Sequence, residues 1–271
     1  MPKTRSWVDN QNKANTIFWK ALMFIYNIIA YITFFIKFGK KFNKPPIIIG
    51  GCGRSGTTIL LAILSSHPNI FAIPKDTYVF TYYSKYKILL PFDVKRIYHY
   101  LLSYKIPSSC SRWCEKTNKN IRHFDTILNY YKKNARLINL VRDGRDVILS
   151  IAPGSPKFWV SPKRWINDVK AGLKYENHSQ VLTIRYEDLI LNFEKTIKKI
   201  CKFIDEDCNE HILNWHKYTT IKRHEAWFGK VKPLHKNSIG KWKIPKYKER
   251  VRELTKYSEA IELLKHFKYI R

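Results

Sequence analysis

Residues 47–58 of the chain read IIIGGCGRSGTT, and this stretch decides the fold. Two prolines come just before it and end any earlier helix, and the three isoleucines are typical of a short strand buried on both faces. The glycines then form a turn, and the apolar residues from Ile59 onwards begin a helix. Backbone N–H groups of the turn and the helix N-terminus converge on one point, which predicts an anion-binding cradle.

Two further apolar runs, at residues 137–141 and 181–184, are each followed by a polar turn and then by helical spacing. Strands that alternate with helices predict an α/β fold, a three-layer parallel sheet with helices on both faces. Amphipathic helices are expected at residues 79–105, at 118–134 and, as one or two helices, at 246–267.

The composition describes a basic, globular chain. Its 271 residues include 50 Lys and Arg against 21 Asp and Glu, which gives a formal charge of +29. Because 45% of the residues are hydrophobic, the chain can form one catalytic-sized domain with a short appendage. The charge favours anionic partners without choosing among phosphate, sulfate, acidic glycan, nucleic acid and anionic lipid.

The basic residues concentrate in one stretch. Residues 217–252 hold nine Lys and three Arg against two Glu. This pattern fits a mobile basic flap over an anionic ligand, and it equally fits an ordinary solvated surface.

The N-terminal part of the chain differs from the rest. Residues 21–36 carry no charge, and the run is shorter than the roughly 20 residues that cross a bilayer. We expect residues 1–44 to form a hydrophobic, membrane-associating segment and linker, with residues 17–37 as an uncleaved anchor or a helix in the membrane interface. The alternative is a helix packed on the domain's own surface in a cytoplasmic protein. The folded domain is expected at residues 45–271.

The five cysteines do not form a zinc pattern or a disulfide framework, so no metal site is expected. The pairs Cys110/Cys114 and Cys201/Cys208 are compatible with two bridges in an oxidising compartment, and equally with reduced, partly buried thiols.

The glycine spacing of the first turn is that of the Walker A loop, with Thr58 at its Ser/Thr position. However, Thr57 stands where that loop carries its lysine. An NTPase needs this ammonium on the β/γ-phosphates and a magnesium ion beside it. No acidic residue ends the strand at 137–141 either, so the sequence argues against nucleotide hydrolysis.

The stretch GRSGTT at residues 53–58 resembles the 5′-phosphosulfate loop of the PAPS-dependent sulfotransferases. A second segment, LVRDGRDVILS at 140–150, is similar to the family's 3′-phosphate motif. The resemblance extends over residues 47–271. It includes PKDTYVF at 74–80, WCEKT at 113–117, IRYEDL at 184–189 and SIGKW at 238–242. In form and order the motifs are closest to the tyrosylprotein and bacterial carbohydrate branches.

This resemblance implies transfer of a sulfuryl group from PAPS (3′-phosphoadenosine 5′-phosphosulfate) to a hydroxyl acceptor without a metal. Asp76 matches the catalytic Glu of related enzymes and is predicted to be the general base, the alternative being that it caps the next helix. Lys116 matches a lysine at the bridging oxygen. Ser238 belongs to the C-terminal loop that clamps the cofactor, and it is the third residue predicted to be catalytic. The resemblance implies cofactor binding by Gly53, Arg54, Ser55, Gly56, Thr57, Thr58, Arg142, Ser150, Ser238 and Lys241.

The sequence leaves other residues open as the general base. His99 and His123 are alternative bases, because another branch of the family uses His. Tyr186, Glu187 and Asp188 are interpreted as mainly structural.

The rival functions are a magnesium-dependent P-loop kinase and a non-catalytic basic protein that binds polyanions. The acceptor is expected to be a glycan, tyrosine or other alcohol, with an acidic polysaccharide or protein favoured by the charge, and no nucleic acid partner is expected.

Overall fold

Five parallel strands form the central sheet of the protein, for which a computed structural model describes residues 17–83, 96–132, 134–151, 154–224, 229–230 and 234–271. The strands are β1 (Ile47–Gly51), β2 (Ile70–Ala72), β3 (Arg112–Lys116), β4 (Arg136–Val141) and β5 (Val181–Arg185). Their order across the sheet is β2-β3-β1-β4-β5, and all four pairings are parallel. The predicted α/β fold is therefore confirmed.

Helices flank this sheet on both faces. They are α1 (Ile17–Phe38), α2 (Thr57–Leu64), α3 (Val79–Tyr83), α4 (Arg96–Leu102), α5 (Phe124–Tyr131), α6 (Gly144–Val147), α7 (Pro162–Leu173), α8 (Tyr186–Leu191), α9 (Phe193–Ile204), α10 (Glu210–Leu213), α11 (Trp215–Tyr218), α12 (Lys248–Thr255) and α13 (Ser258–His266). A small antiparallel pair, β6 (Arg223–His224) and β7 (Gly229–Lys230), lies outside the main sheet. Four short 3-10 helices complete the described elements, at Asn118–His123, Lys236–Ser238, Lys241–Lys243 and Pro245–Tyr247.

The central strand divides the interior into two cores. Ile47 and Ile49 point into the core beneath α2 and α9, whereas Ile48 points into the core formed with α4 and α5. Both faces are apolar because side chains alternate along a strand, which is why β1 reads as an unbroken run of isoleucines. A third cluster packs α12 and α13 against α7, around Trp165.

The sequence prediction was incomplete at three places. Strands β2 and β3 were not predicted as strands. The helix expected at 79–105 is present as α3 and α4, with residues 84–95 outside the described part of the chain. The helix expected at 118–134 begins as a 3-10 helix and becomes α5 only at Phe124.

Helix α1 packs one face on the domain. The rings of Phe34 and Tyr98 lie 4.5 Å apart, and Phe34 and Phe38 are buried in the core that contains Ile48. The opposite face leaves large apolar side chains exposed: Leu22, Phe24, Ile25, Tyr26, Ile29, Ile32, Phe35 and Ile36.

Within the described ranges, no helix has both the length and the apolar character needed to cross a membrane. The membrane-associating role predicted for residues 17–37 gains no support from the structure and stays a prediction.

We expect the two faces of α1 to respond differently to truncation. Phe34→Ala removes a ring that is 3% exposed and should lower the free energy of unfolding by about 3 kcal/mol. Ile36→Ala, at a position 83% exposed, should change it by less than about 0.5 kcal/mol. Urea unfolding of both variants measures this, and equal losses would contradict the packing of α1 on the domain.

Candidate functional site

The carboxyl ends of three neighbouring strands bring the sequence motifs together. Strand β1 lies between β3 and β4, with Ile49 paired to Lys116 and Gly51 paired to Leu140. The loop after β1, the end of β3 and the Arg142 motif after β4 therefore meet at one edge of the sheet. Ligands of open parallel α/β sheets bind at this edge.

Two glycines shape the loop at residues 52–56. Gly51 has φ 146° and Gly56 has φ 95°, a backbone region that favours glycine. A Cβ on Gly51 would lie 2.4 Å from the carbonyl oxygen of Leu140, and one on Gly56 would lie 2.4 Å from Cδ2 of Tyr186. The loop can therefore fold against β4 and Tyr186 only with glycine at both positions.

Polar groups of the loop fit an anionic ligand. The hydroxyl of Ser55 is fully buried and has no hydrogen-bond partner among the described residues. Burial, together with the positive charge of Arg142, lowers the pKa of the Arg54 guanidinium from its ordinary value. A buried hydroxyl and closely spaced cations of this kind favour a bound phosphate or sulfate.

Arg142 connects the loop with the C-terminal part of the chain. Its Nη1 donates to the carbonyl oxygen of Arg54 at 2.9 Å, and its Nη2 donates to that of Ser238. The guanidinium carbon lies 4.7 Å from the ring centroid of Tyr186. The structure thus places Arg142 beside the loop, as the motif order predicts.

Ser150 lies further along the same motif. The sequence predicted it two turns into a helix, but α6 ends at Val147. The backbone N–H of Ser150 donates to Val147 at 3.1 Å, and its carbonyl accepts from Trp159 at 2.8 Å. Its role at a 3′-phosphate stays a prediction.

The predicted base and the predicted leaving-group cation form an ion pair. Nζ of Lys116 donates to Oδ1 of Asp76 at 2.5 Å, with side-chain exposures of 0% and 11%. Lys116 pairs with this carboxylate and not with its neighbour Glu115. Removal of one partner would leave a charge buried without compensation.

A buried carboxylate fixes the segments on either side of this ion pair. Oε1 of Glu115 accepts from the hydroxyls of Thr77 at 2.8 Å and Thr117 at 2.5 Å, and Oε2 accepts from Asn120 at 2.6 Å. Burial raises the pKa of Glu115 above its ordinary value, and the three donors oppose that shift. Since Thr77 follows Asp76 and Thr117 follows Lys116, Glu115 sets the distance between the two catalytic candidates.

The other loop residues have local partners. Thr57 begins α2 and donates to Oδ1 of Asn118 at 2.6 Å. Thr58 is buried on the same turn of the helix. Asn118 is therefore part of the loop's support.

The C-terminal segment, residues 236–243, is docked onto the Arg142 motif. Asp146 accepts from the backbone N–H of Gly240 at 2.7 Å and from that of Trp242 at 3.1 Å. The guanidinium carbon of Arg145 lies 3.6 Å from the ring centroid of Trp242. Burial raises the pKa of the Asp146 carboxyl, although the two N–H donors oppose this shift.

Two predicted members of this segment differ in their surroundings. The hydroxyl of Ser238 lies 2.8 Å from that of Tyr186, whereas Lys241 is exposed. The predicted basic flap at 217–252 includes residues 225–228 and 231–233, which lie outside the described residues.

The two alternative bases, His99 and His123, have surroundings that differ from those of the Asp76–Lys116 pair. The ring of His99 stacks on Tyr26 of α1 at 4.1 Å, and Nε2 lies 3.0 Å from Oδ1 of Asn27. His123 ends the 3-10 helix before α5, and burial lowers its pKa. Among the described residues, no hydrogen bond or ion pair joins either histidine to Lys116.

Sequence reasoning missed part of the site. The sequence indicates a mainly structural role for Tyr186, yet its side chain contacts Arg142 and Ser238 and packs against Gly56. Glu187 keeps the structural role, because it accepts from the N–H of Asp143 at 3.0 Å and from the hydroxyl of Tyr269 at 2.9 Å. The pattern Y-E-D-L was a signal for this strand end but did not show which side chain faces the loop.

The cysteines do not form crosslinks. All five are free thiols, and four of them are buried. In the part of the chain that the structure describes, no cluster of three or more His, Cys, Asp or Glu residues could hold a metal ion. The expectation that no metal is needed stays a prediction.

A parallel sheet whose edge joins a glycine loop to a buried arginine defines an α/β protein with a candidate site for phosphate-like anions. The model of the sulfotransferase family matches residues 45–88 and 86–210. The chain belongs to the sulfotransferase family.

Several known proteins are similar to the chain. A protein-tyrosine sulfotransferase of Drosophila melanogaster is 24% identical in an alignment of 240 residues, gaps included, that covers 74% of this chain and 47% of that protein. The sulfotransferase domain of the Synechococcus PCC 7002 olefin synthase has a TM-score of 0.60 at 18% identity, covering 84% of this chain and 97% of that one. Mouse sulfotransferase SULT7A1 complexed with PAP, the adenosine bisphosphate left after transfer, has a TM-score of 0.53 at 19% identity, covering 83% and 88%.

These likenesses establish family and fold. The chain spans half or less of the length of the curated relatives it matches. Their activities are therefore a basis for proposals about this protein and do not transfer directly.

We expect Asp146→Ala to release residues 236–243. The substitution removes both acceptors, so the amides of Gly240 and Trp242 should exchange with solvent deuterium at least about tenfold faster. Asp188→Ala, which changes a half-exposed carboxylate, is the matched control and should leave their exchange unchanged. Unaltered exchange in Asp146→Ala would contradict the docking of this segment.

Proposed function

We propose that this protein transfers the sulfuryl group of PAPS to a hydroxyl acceptor. The observation that carries the proposal is the position of Arg142, whose guanidinium binds the main chain of the loop and of the C-terminal segment. A nucleotide with phosphate groups at both 3′ and 5′ positions would place one phosphate at the loop and the other at Arg142, on the same edge of the sheet. Membership of the sulfotransferase family and the PAP complex of a similar fold support this match.

The residues of the site fit the donor. The loop supplies backbone N–H groups, a helix N-terminus and the buried hydroxyl of Ser55 for the 5′-phosphosulfate. Arg142 supplies a planar guanidinium for the 3′-phosphate, and its Nε is buried without a hydrogen-bond partner among the described residues. Ser238 and Tyr186 lie on the same side of the site as Arg142.

PAPS supplies an activated sulfuryl group when bound. The chain positions the donor and the acceptor, deprotonates the acceptor hydroxyl and neutralises the charge on the leaving phosphate. Asp76 takes the proton of the acceptor hydroxyl as the new S–O bond forms. Lys116 neutralises the charge that grows on the leaving phosphate as the old S–O bond breaks. The 2.5 Å contact between these two side chains supports the proposal that both act at one point of the site.

The acceptor is proposed to be a glycan, tyrosine or other alcohol that carries negative charge. The formal charge of +29 attracts such a molecule.

Ligand stabilisation tests the donor site. Saturating PAP should raise the melting temperature without magnesium, since a ligand at a hundred times its Kd adds about 2.7 kcal/mol of stability. Arg142→Ala should abolish this rise, whereas Arg136→Ala, at the opposite end of β4, should preserve it. A rise that needs ATP and magnesium would instead favour the kinase. A response to any polyanion that survives Arg142→Ala would favour the polyanion-binding protein.

The Asp76→Asn variant distinguishes a role of Asp76 in sulfuryl transfer from a role in PAP binding. We expect kcat for sulfuryl transfer to fall by about 10²- to 10⁴-fold, because the amide cannot accept the proton. PAP affinity, measured by calorimetry, should stay within about twofold because Asn keeps an acceptor for Lys116. Equal losses of activity and PAP affinity would show that Asp76 only holds the structure together.

A further inference from the structure

Two side-chain nitrogens approach the loop over Gly53. A Cβ built on Gly53 would lie 3.1 Å from Nη2 of Arg164 and 3.6 Å from Nδ2 of Asn118. Gly53 itself is buried and does not have a positive φ. The two nitrogens therefore lie close to the loop backbone, and a Cβ at this position would push the flexible end of Arg164 back by a few tenths of an ångström.

The N-terminal end of α7 is fixed in a way that presents Arg164 to the loop. Nε1 of Trp165 donates to the carbonyl oxygen of Arg142 at 3.1 Å, and the indole packs against Gly144 so closely that a Cβ there would lie 2.5 Å from it. Ser161 caps the helix by accepting from the N–H of Arg164 at 3.2 Å. Arg164 is thus attached to the same motif that carries Arg142.

The charge of Arg164 is only partly compensated by its neighbours. Its Nε lies 3.6 Å from Oδ2 of Asp168, one turn further along α7, and Nε of Arg122 donates to the other oxygen of that carboxylate. Two guanidinium groups share one carboxylate, which leaves a net positive charge beside the loop. The Arg164 side chain is 30% exposed, so a ligand can reach it.

The position of Asn118 indicates which end of the donor molecule Arg164 and Asn118 would contact. Its Oδ1 is occupied by the hydroxyl of Thr57, so its Nδ2 is the group turned toward Gly53. Asn118 follows Lys116 by two residues and therefore belongs to the side of the site with the catalytic candidates. Arg142 and Ser238 mark the other side, where the 3′-phosphate is proposed to bind.

We propose that Arg164 and Asn118 bind the non-bridging oxygens of the sulfuryl group that is transferred. The proposal rests on the function proposed above. A sulfuryl group passing between two oxygens exposes three oxygens that carry negative charge, and a guanidinium with an adjacent amide offers N–H donors to them. The pair makes the site distinguish the loaded donor, PAPS, from the product, PAP.

Comparison of PAPS and PAP affinities tests this role. Calorimetric titrations without acceptor, at one fixed ionic strength, would use the wild type, Arg164→Ala and Arg164→Lys. Arg164→Ala should weaken PAPS binding by about ten- to a hundredfold and leave PAP binding within about twofold. Arg164→Lys, which keeps the charge and loses the planar fork, should fall between the wild type and Arg164→Ala.

Arg122→Ala is the matched control, because it removes the other guanidinium from Asp168 and leaves Arg164 in place. Both affinities should stay within about twofold in this variant. The inference is overturned if Arg164→Ala weakens PAP and PAPS equally, if it weakens neither, or if Arg122→Ala reproduces its effect. A wild type that binds neither ligand overturns the proposed function itself, which separates the two failures.

Discussion

The guanidinium of Arg142 holds together two segments that are far apart in the sequence, the loop after β1 and the C-terminal segment at 236–243. It can do so because β4 lies directly beside β1 in a parallel sheet, so that both strands end at the same edge. Tyr186, which begins α8 after the next strand, covers the guanidinium from one side. The ends of the neighbouring strands β1, β4 and β5 thus surround Arg142, and Arg142 positions the loop.

The charged groups around this arginine are buried with specific partners. Asp76 pairs with Lys116, Asp143 with Arg145, and Glu115 with two hydroxyls and an amide. Each pairing compensates for desolvation that would otherwise be unfavourable. Contacts of this kind hold charged groups in fixed positions, and preorganised dipoles and charges are the main source of electrostatic catalysis.

Sequence patterns were sufficient where one short stretch determines the structure. The isoleucines of β1 and the glycines after it specify the strand, the turn and the helix start without help from distant residues. Strand β3 escaped prediction because it carries Arg112, Glu115 and Lys116, whose burial depends on partners from other segments. The hydrophobic pattern that identifies a buried strand is absent there. Arg164 could not be predicted for a similar reason, since only the approach of α7 to Gly53 reveals it.

A crystal structure of the protein grown with PAP would test the central claim most directly. The account predicts a 5′-phosphate against the backbone N–H groups of residues 54–58 and a 3′-phosphate in contact with the guanidinium of Arg142. PAP bound elsewhere on the molecule, or bound to the loop with its 3′-phosphate turned away from Arg142, would contradict it.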